Sequence, residues 1–155
     1  MDKIIVTALL IIAGAISAIL VFNALYPAIG QSSDAITSMQ GRVDERMKSQ
    51  IEIVHATKFG SDALVWVKNV GSLRISAPEA CDVFFGPQGN FTRLSYNTGS
   101  GVYWQYSIEG SGTDWNPTTT MKITIKGYSF LGAGTRYFVK VVVPIGVSAD
   151  YYFSE

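Results

Sequence analysis

Cysteine, histidine and charge are the scarce materials of this chain, and each scarcity removes a class of function. A single cysteine, Cys81, leaves no internal disulfide to form, and in its apolar context it suits a small buried hydrophobe better than a reactive thiol. A single histidine, His55, lies in an apolar strand without the partners that a zinc site or a histidine-centred triad requires. Charged residues make up only 15% of the chain and the formal net charge is zero, so no basic field exists to hold nucleic acid. The acids Asp62, Glu79, Asp82, Glu109, Asp114 and Asp150 are scattered near expected turns and strand ends, and they meet as a glycosidase pair only if the fold brings two together. Glu52 and His55 stand an odd distance apart in an expected strand, which places them on opposite faces. The glycine-rich segments at 110–112 and 132–134 lack the lysine-serine pair or the following helix of a phosphate-binding loop. No cofactor, no metal and no catalytic residue is therefore expected.

What the chain does have is a long apolar run. From Ile4 to Phe22 no charged residue interrupts it, and about 19 residues at roughly 1.5 Å each match a hydrocarbon core of about 30 Å. Ile4, Ile5, Leu9, Leu10, Ile11, Ile12, Ile16, Ile19, Leu20, Val21 and Phe22 would face lipid as a membrane anchor. A cleavable signal would need a basic n-region, a shorter apolar stretch and a small-residue cleavage site. Asp2 and Lys3 alone precede the run and Asn23-Ala24-Leu25-Tyr26-Pro27 follows it, so the segment is expected to be retained. Gly14 with Ala13, Ala15 and Ala18 forms a small-residue patch where helices can approach closely. Tyr26 suits the membrane interface, and Pro27 is expected to kink or divide the helix there.

Helical periodicity continues beyond Pro27. Ile29, Ile36, Met39, Val43, Met47 and Ile51 form one apolar stripe at spacings of seven, three, four, four and four, with a polar face of mixed sign between them. Such a stripe needs a partner: the C-terminal domain of the same chain, a second copy or a sister subunit.

After Gln50 the period changes to alternating or continuous β-branched and aromatic runs, broken every eight to twelve residues by Gly, Pro, Asn or Ser. Strands are expected at 51–57, 63–69, 74–76, 81–85, 92–96, 102–108, 121–125, 135–143 and 148–153. The organisation is thus residues 1–50 as a membrane-spanning and amphipathic helix and residues 51–155 as an antiparallel, Ig-like β-sandwich. The fold class is α+β. Trp104 and Phe153 suit a core, whereas tyrosines of the 103–106 and 151–152 runs suit either the sheet surface or an interface. Asn90-Phe91-Thr92 is an N-glycosylation sequon in an expected loop, making Asn90 a candidate acceptor and favouring an exterior domain.

A short head, an apolar segment running into a long helix and a β-sandwich together resemble the layout of type IV pilin-like proteins. Ala63-Leu64-Val65-Trp66-Val67-Lys68-Asn69-Val70-Gly71-Ser72 resembles the V-x-V-K-N-x-G strand and turn of archaellins and of archaellum accessory proteins of the FlaG/FlaF type. Tyr26-Pro27-Ala28-Ile29 and Gly41-Arg42-Val43-Asp44-Glu45-Arg46-Met47-Lys48-Ser49 look most like the FlaG type. That resemblance implies a structural, stator-like part of the archaellum that gives the rotating filament a fixed point at the cell envelope. Its implied partners are the membrane, copies of itself or sister archaellum subunits, and surface-layer protein. Met1-Asp2-Lys3-Ile4 carries no basic leader of the kind cut from pre-archaellins, which favours the accessory reading over the alternative, a filament subunit polymerising through its N-terminal helix. A tethered sugar-binding or hydrolytic sandwich is the third reading, and it requires aromatics and two carboxylates lining one cleft.

Overall fold

The structure, a computed structural model, describes residues 2–110, 112 and 114–154. It divides between Val43 and Asp44 into two compact units, and each is described by itself. The turn expected over Gly110-Ser111-Gly112 has Ser111 outside the described residues.

Helix α1 runs from Asp2 to Lys48 as one element, about 70 Å at 1.5 Å per residue. Pro27 lies inside it and does not divide it, division being one of the two outcomes expected there, because a helix this long can lose one N–H bond and continue on the turns at either side. The polar residues of the apolar segment satisfy themselves locally. The Thr7 hydroxyl donates to the Lys3 carbonyl, and Ser17 Oγ donates to Ala13 O at 2.8 Å. An 18-residue window reaches a mean hydropathy of 2.9, making α1 the one helix among the described residues long and apolar enough to cross a membrane. None of its described residues is buried.

The second unit is built from eight strands: β1 (Ile51–Phe59), β2 (Asp62–Asn69), β3 (Asp82–Pro87), β4 (Thr92–Tyr96), β5 (Tyr103–Ile108), β6 (Thr120–Lys126), β7 (Arg136–Val142) and β8 (Ser148–Ser154). They pair in the order β1-β2-β6-β5-β4-β3-β7-β8, and the outermost strands β1 and β8 come into contact, so the sheet curls into a sandwich. Alternation in β2 and β6 turns Ala63, Val65, Val67, Met121, Ile123 and Ile125 inward, while Val83, Phe85, Tyr137, Val139, Val141 and Phe153 face them from the other layer. Phe85 stacks on Tyr137 at 5.8 Å and meets Tyr128 edge-on at 4.8 Å. The buried Tyr137 hydroxyl accepts from Leu131 N at 2.7 Å and donates to Leu131 O at 3.0 Å, so its polar end is satisfied.

Three features depart from the periodic pattern. Arg74–Ser76 is not a strand; Ile75 makes a single bridge to Trp115, because the segment is too short to extend a ladder. Strands β4 and β5 are parallel, not antiparallel, over the two pairs Ser95↔Tyr103 and Tyr96↔Trp104. This is where the chain passes from one layer to the other: β4 pairs with β3 on its other edge, and β5 continues antiparallel to β6. In β1 the register shifts between Ile53 and His55, with Ile53 opposite Val67 and His55 opposite Trp66. The extra residue, Val54, is a bulge that returns His55 to the same outer face as Glu52. His55 is consequently exposed, with its ring 5.6 Å from Trp66.

Candidate functional site

Among the described residues, four of the acids singled out in the sequence are each engaged by a different side chain. Asp82 is held by Arg93 at 2.6 Å, Asp114 by Arg74 at 3.0 Å and Glu109 by Lys122 at 3.3 Å, while Glu79 accepts from the Tyr106 hydroxyl at 3.2 Å. These carboxylates are spread over the surface in separate pairs. No group of three His, Cys, Asp or Glu side chains able to hold a metal occurs among the described residues. Burial above all, and then Asp82 and Glu79, push the Cys81 thiol from 9.0 up to about 12, so it stays a neutral thiol near neutral pH.

The structure instead concentrates its specific bonding where the last turn of α1, Asp44–Lys48, meets the sandwich. An α-helix ends with carbonyls that have no partner in the helix. Here Ser72 N donates to Lys48 O at 2.8 Å, with Ser72 Oγ at 3.4 Å from the same atom. Two residues beyond the helix end, Gln50 O accepts from Val70 N at 2.9 Å and Gly71 N at 3.0 Å. Arg46 reaches from the same turn to donate through Nε to Ile145 O at 3.1 Å.

Asn69 organises this joint. It is fully buried at the end of β2 and uses every polar atom: Oδ1 accepts from Gly71 N at 3.0 Å, and Nδ2 donates to Leu73 O at 2.8 Å and Trp115 O at 3.2 Å. Its backbone exchanges bonds with Thr119 O and Thr118 N at 3.0 and 2.8 Å. The turn after β2 is thereby fixed in the shape that offers its amides to the helix end. Gly71 is required for space, since a Cβ there would stand 2.5 Å from Lys48 O and 2.6 Å from Gln50 N. At Gly146 the requirement is conformational, a φ of 83° that favours glycine, since the Arg46 guanidinium 2.6 Å from an added Cβ is a flexible end that could move aside. The Lys-Asn-x-Gly motif singled out in the sequence is thus the socket of the helix; that its asparagine is the hub is visible only in the fold, because Leu73 and Trp115 become its neighbours through tertiary packing.

A second concentration lies on the outer face of the β4-β3-β7-β8 layer. Phe91, Phe138 and Tyr152 form an aromatic ladder, with ring centroids 4.7 and 5.0 Å apart, and the Arg136 guanidinium lies 4.9 Å over Tyr152. Phe91 and Tyr152, 46% and 42% exposed, leave the ladder open to contact. The alternation of β8 places Tyr152 outward and Phe153 inward. Phe91 stands apart from other aromatics in the chain, and Phe138 follows Tyr137 in a strand whose apolar run does not show which of the two faces outward. Trp104 and Phe153 fill the core as that reading had them, and so does Trp115, which sequence placed only in a turn.

The anchor residues from Ile4 to Phe22 and the stripe residues Ile29, Ile36, Met39, Val43 and Met47 are exposed along α1. Ile51 does not belong with them: it opens β1 and is buried in the sandwich core, because the helix ends at Lys48 and the strand's period turns it inward. Asn90 is exposed between β3 and β4, directly before Phe91, where its backbone N–H donates to Pro87 O at 2.9 Å.

No family profile matches the chain. It is 27% identical over 161 residues to an uncharacterized protein of Archaeoglobus fulgidus, covering 98% of both chains. Among solved structures it is similar to the archaellum periplasmic stator protein FlaG from Sulfolobus acidocaldarius, at 31% identity and a TM-score of 0.62 over 68% of this chain and 99% of that one. The FlaF and FlaG stator complex of the same organism matches at 31% identity and a TM-score of 0.60, over 67% of this chain and 88% of that one. The archaeal flagellum of Methanospirillum hungatei shares the fold at 18% identity and a TM-score of 0.60, over 94% of this chain and 89% of that one.

Proposed function

The chain belongs to the FlaG-type family of archaellum proteins, and on that premise we propose that it is a non-enzymatic anchoring component, holding the archaellum machinery at the cell envelope as a stator does. Residues 1–50 act as the membrane-spanning and amphipathic part and residues 51–155 as the exterior domain. The observation that carries this reading is the socketed end of the helix. Force applied to a helix is lost if its last turn can fray, and here the carbonyl of the last helical residue, Lys48, is held by the Ser72 amide, Gln50 O just beyond the helix is held by the Val70 and Gly71 amides, and Arg46 ties the turn to Ile145. The Phe91-Phe138-Tyr152 ladder is the surface offered to a sister subunit or to surface-layer protein, since exposed aromatics in a rigid sheet bind with little ordering cost. Asn90, next to Phe91, carries any glycan at the rim of that surface.

The test is the distribution of the protein in its own host. Detergent-free fractionation should leave the chain with the envelope, absent from purified archaella except in trace, and loss of the gene should abolish swimming. Recovery as a major constituent of purified filaments would overturn the anchoring role in favour of a polymer subunit.

A further inference from the structure

The exposed helix carries a seam that matches a second copy of itself. Positions 22, 25, 29, 32, 36, 39 and 43 are spaced alternately by three and four, the heptad a and d pattern held without a stutter from the end of the apolar run to Val43. Phe22, Ile29, Ile36 and Val43 take the a positions, and Leu25 and Met39 take d beside the polar Ser32. All six apolar members lie open, from 53% exposure at Leu25 to 69% at Met39.

The geometry points to a parallel, two-stranded coiled coil between two copies of this chain over residues 22–43. β-Branched residues at a with Leu or Met at d favour two strands over three or four. The rim suits a copy as the partner. Positions e and g hold Tyr26, Ala28, Ser33, Ala35, Gln40 and Arg42, so identical chains in register bring no like charges together, while an acidic or basic partner finds almost nothing to pair with. In register, Ser32 meets Ser32 and every apolar layer meets its own kind. The breakers sit away from the seam, with Pro27 and Gly41 at f and Gly30 at b. Upstream, the same register runs through Ala8, Ala15 and Ala18, where two helices can lie close in lipid. Met47 falls at e, off the seam, so the dimer uses a narrower set of residues than the full apolar stripe.

The parallel orientation rests on the membrane-anchored reading, since two chains inserted the same way present their helices in the same direction. In Cys81→Ala full-length protein reconstituted in phosphatidylcholine vesicles, single cysteines replace Ile36 (a), Met39 (d), Asp34 (f) or Ser38 (c), and mild copper oxidation follows a carbonate wash. Ile36→Cys and Met39→Cys should cross-link about tenfold more than Asp34→Cys and Ser38→Cys, as a–a′ and d–d′ layers require. The mass of the detergent-solubilised protein should equal two chains. Equal cross-linking at all four positions, or a mass above two chains, overturns the dimer. Protein stripped by the carbonate wash overturns the membrane anchor instead, so the two failures are distinguishable. These four positions are exposed, and an unchanged melting transition of the sandwich confirms that each variant is folded.

Discussion

The helix and the sandwich both depend on branched aliphatic residues and treat them in opposite ways. Ile11 is 71% exposed on α1, whereas Ile123 is fully buried in β6. The sandwich supplies its own apolar environment, whereas the helix buries none of its described residues; on the anchoring reading proposed above, its apolar environment comes from lipid along the first part and from another helix along the second. A mutation to a polar residue is therefore felt as unfolding in one region and as loss of location or partner in the other.

The sharpest way to test that contrast is inside the sandwich. Phe85→Ala removes the ring that packs on Tyr137, Tyr128, Phe130 and Phe153 and should cost about 3–5 kcal/mol in denaturant unfolding monitored on the sandwich. In the helix, Leu10→Arg should leave that transition unchanged and lower membrane retention, by about 2.5–3.5 kcal/mol of insertion free energy, read by carbonate extraction. A drop in sandwich stability on Leu10→Arg would break the comparison. Gly71→Ala tests the meeting of the two kinds of structure: its methyl has no room against Lys48 O and Gln50 N, and a loss of about 1–3 kcal/mol is expected, with amide exchange accelerated at Ser72 and in the last helical turn.

A smaller effect follows from Cys81. The unfolded chain gives up its thiol proton near 9.0 and the folded chain holds it to about 12, so this contribution to stability is complete below pH 9 and is lost between pH 9 and about 12. Cys81→Ala should flatten that part of the pH dependence in denaturant titrations, and the native thiol should resist maleimide at neutral pH until the protein unfolds. Arg93→Ala should change stability least, by less than about 0.5 kcal/mol, because its partner Asp82 and the guanidinium both remain largely in water.

Much of the sandwich is legible in the sequence because strand burial follows a local rule. β4 falls on the expected residues 92–96, β2 and β5 differ from expectation by one residue at one end, and β6 by one residue at each end. What escaped depends on pairing between distant segments. The Val54 bulge cannot be seen in β1 alone, since the register it corrects belongs to β2. The parallel β4–β5 contact likewise depends on where β3 and β6 hold the two strands. Of the candidate site, the Lys-Asn-x-Gly motif was visible as a pattern, but its purpose required the positions of Lys48, Leu73 and Trp115. Of the aromatic ladder only Tyr152 was marked in the sequence, as a surface or interface tyrosine; its assembly with Phe91 and Phe138 was not, because the three come from separate segments.

The closing of the sandwich by β1 against β8 sets an order of events as well as a shape. Contacts within α1 join near neighbours along the chain, so the helix can form and commit to its surroundings in microseconds. The core cannot be completed until Phe153, paired with Tyr137 in the β7–β8 hairpin, also meets Phe85 across tens of residues of chain, and such long-range pairing is slow. If the helix is anchored as proposed, the chain is tethered before it is folded, and the segment from β1 to β8 crosses its slowest, most aggregation-prone interval with its aromatic strands held to one place instead of diffusing freely among other unfolded chains.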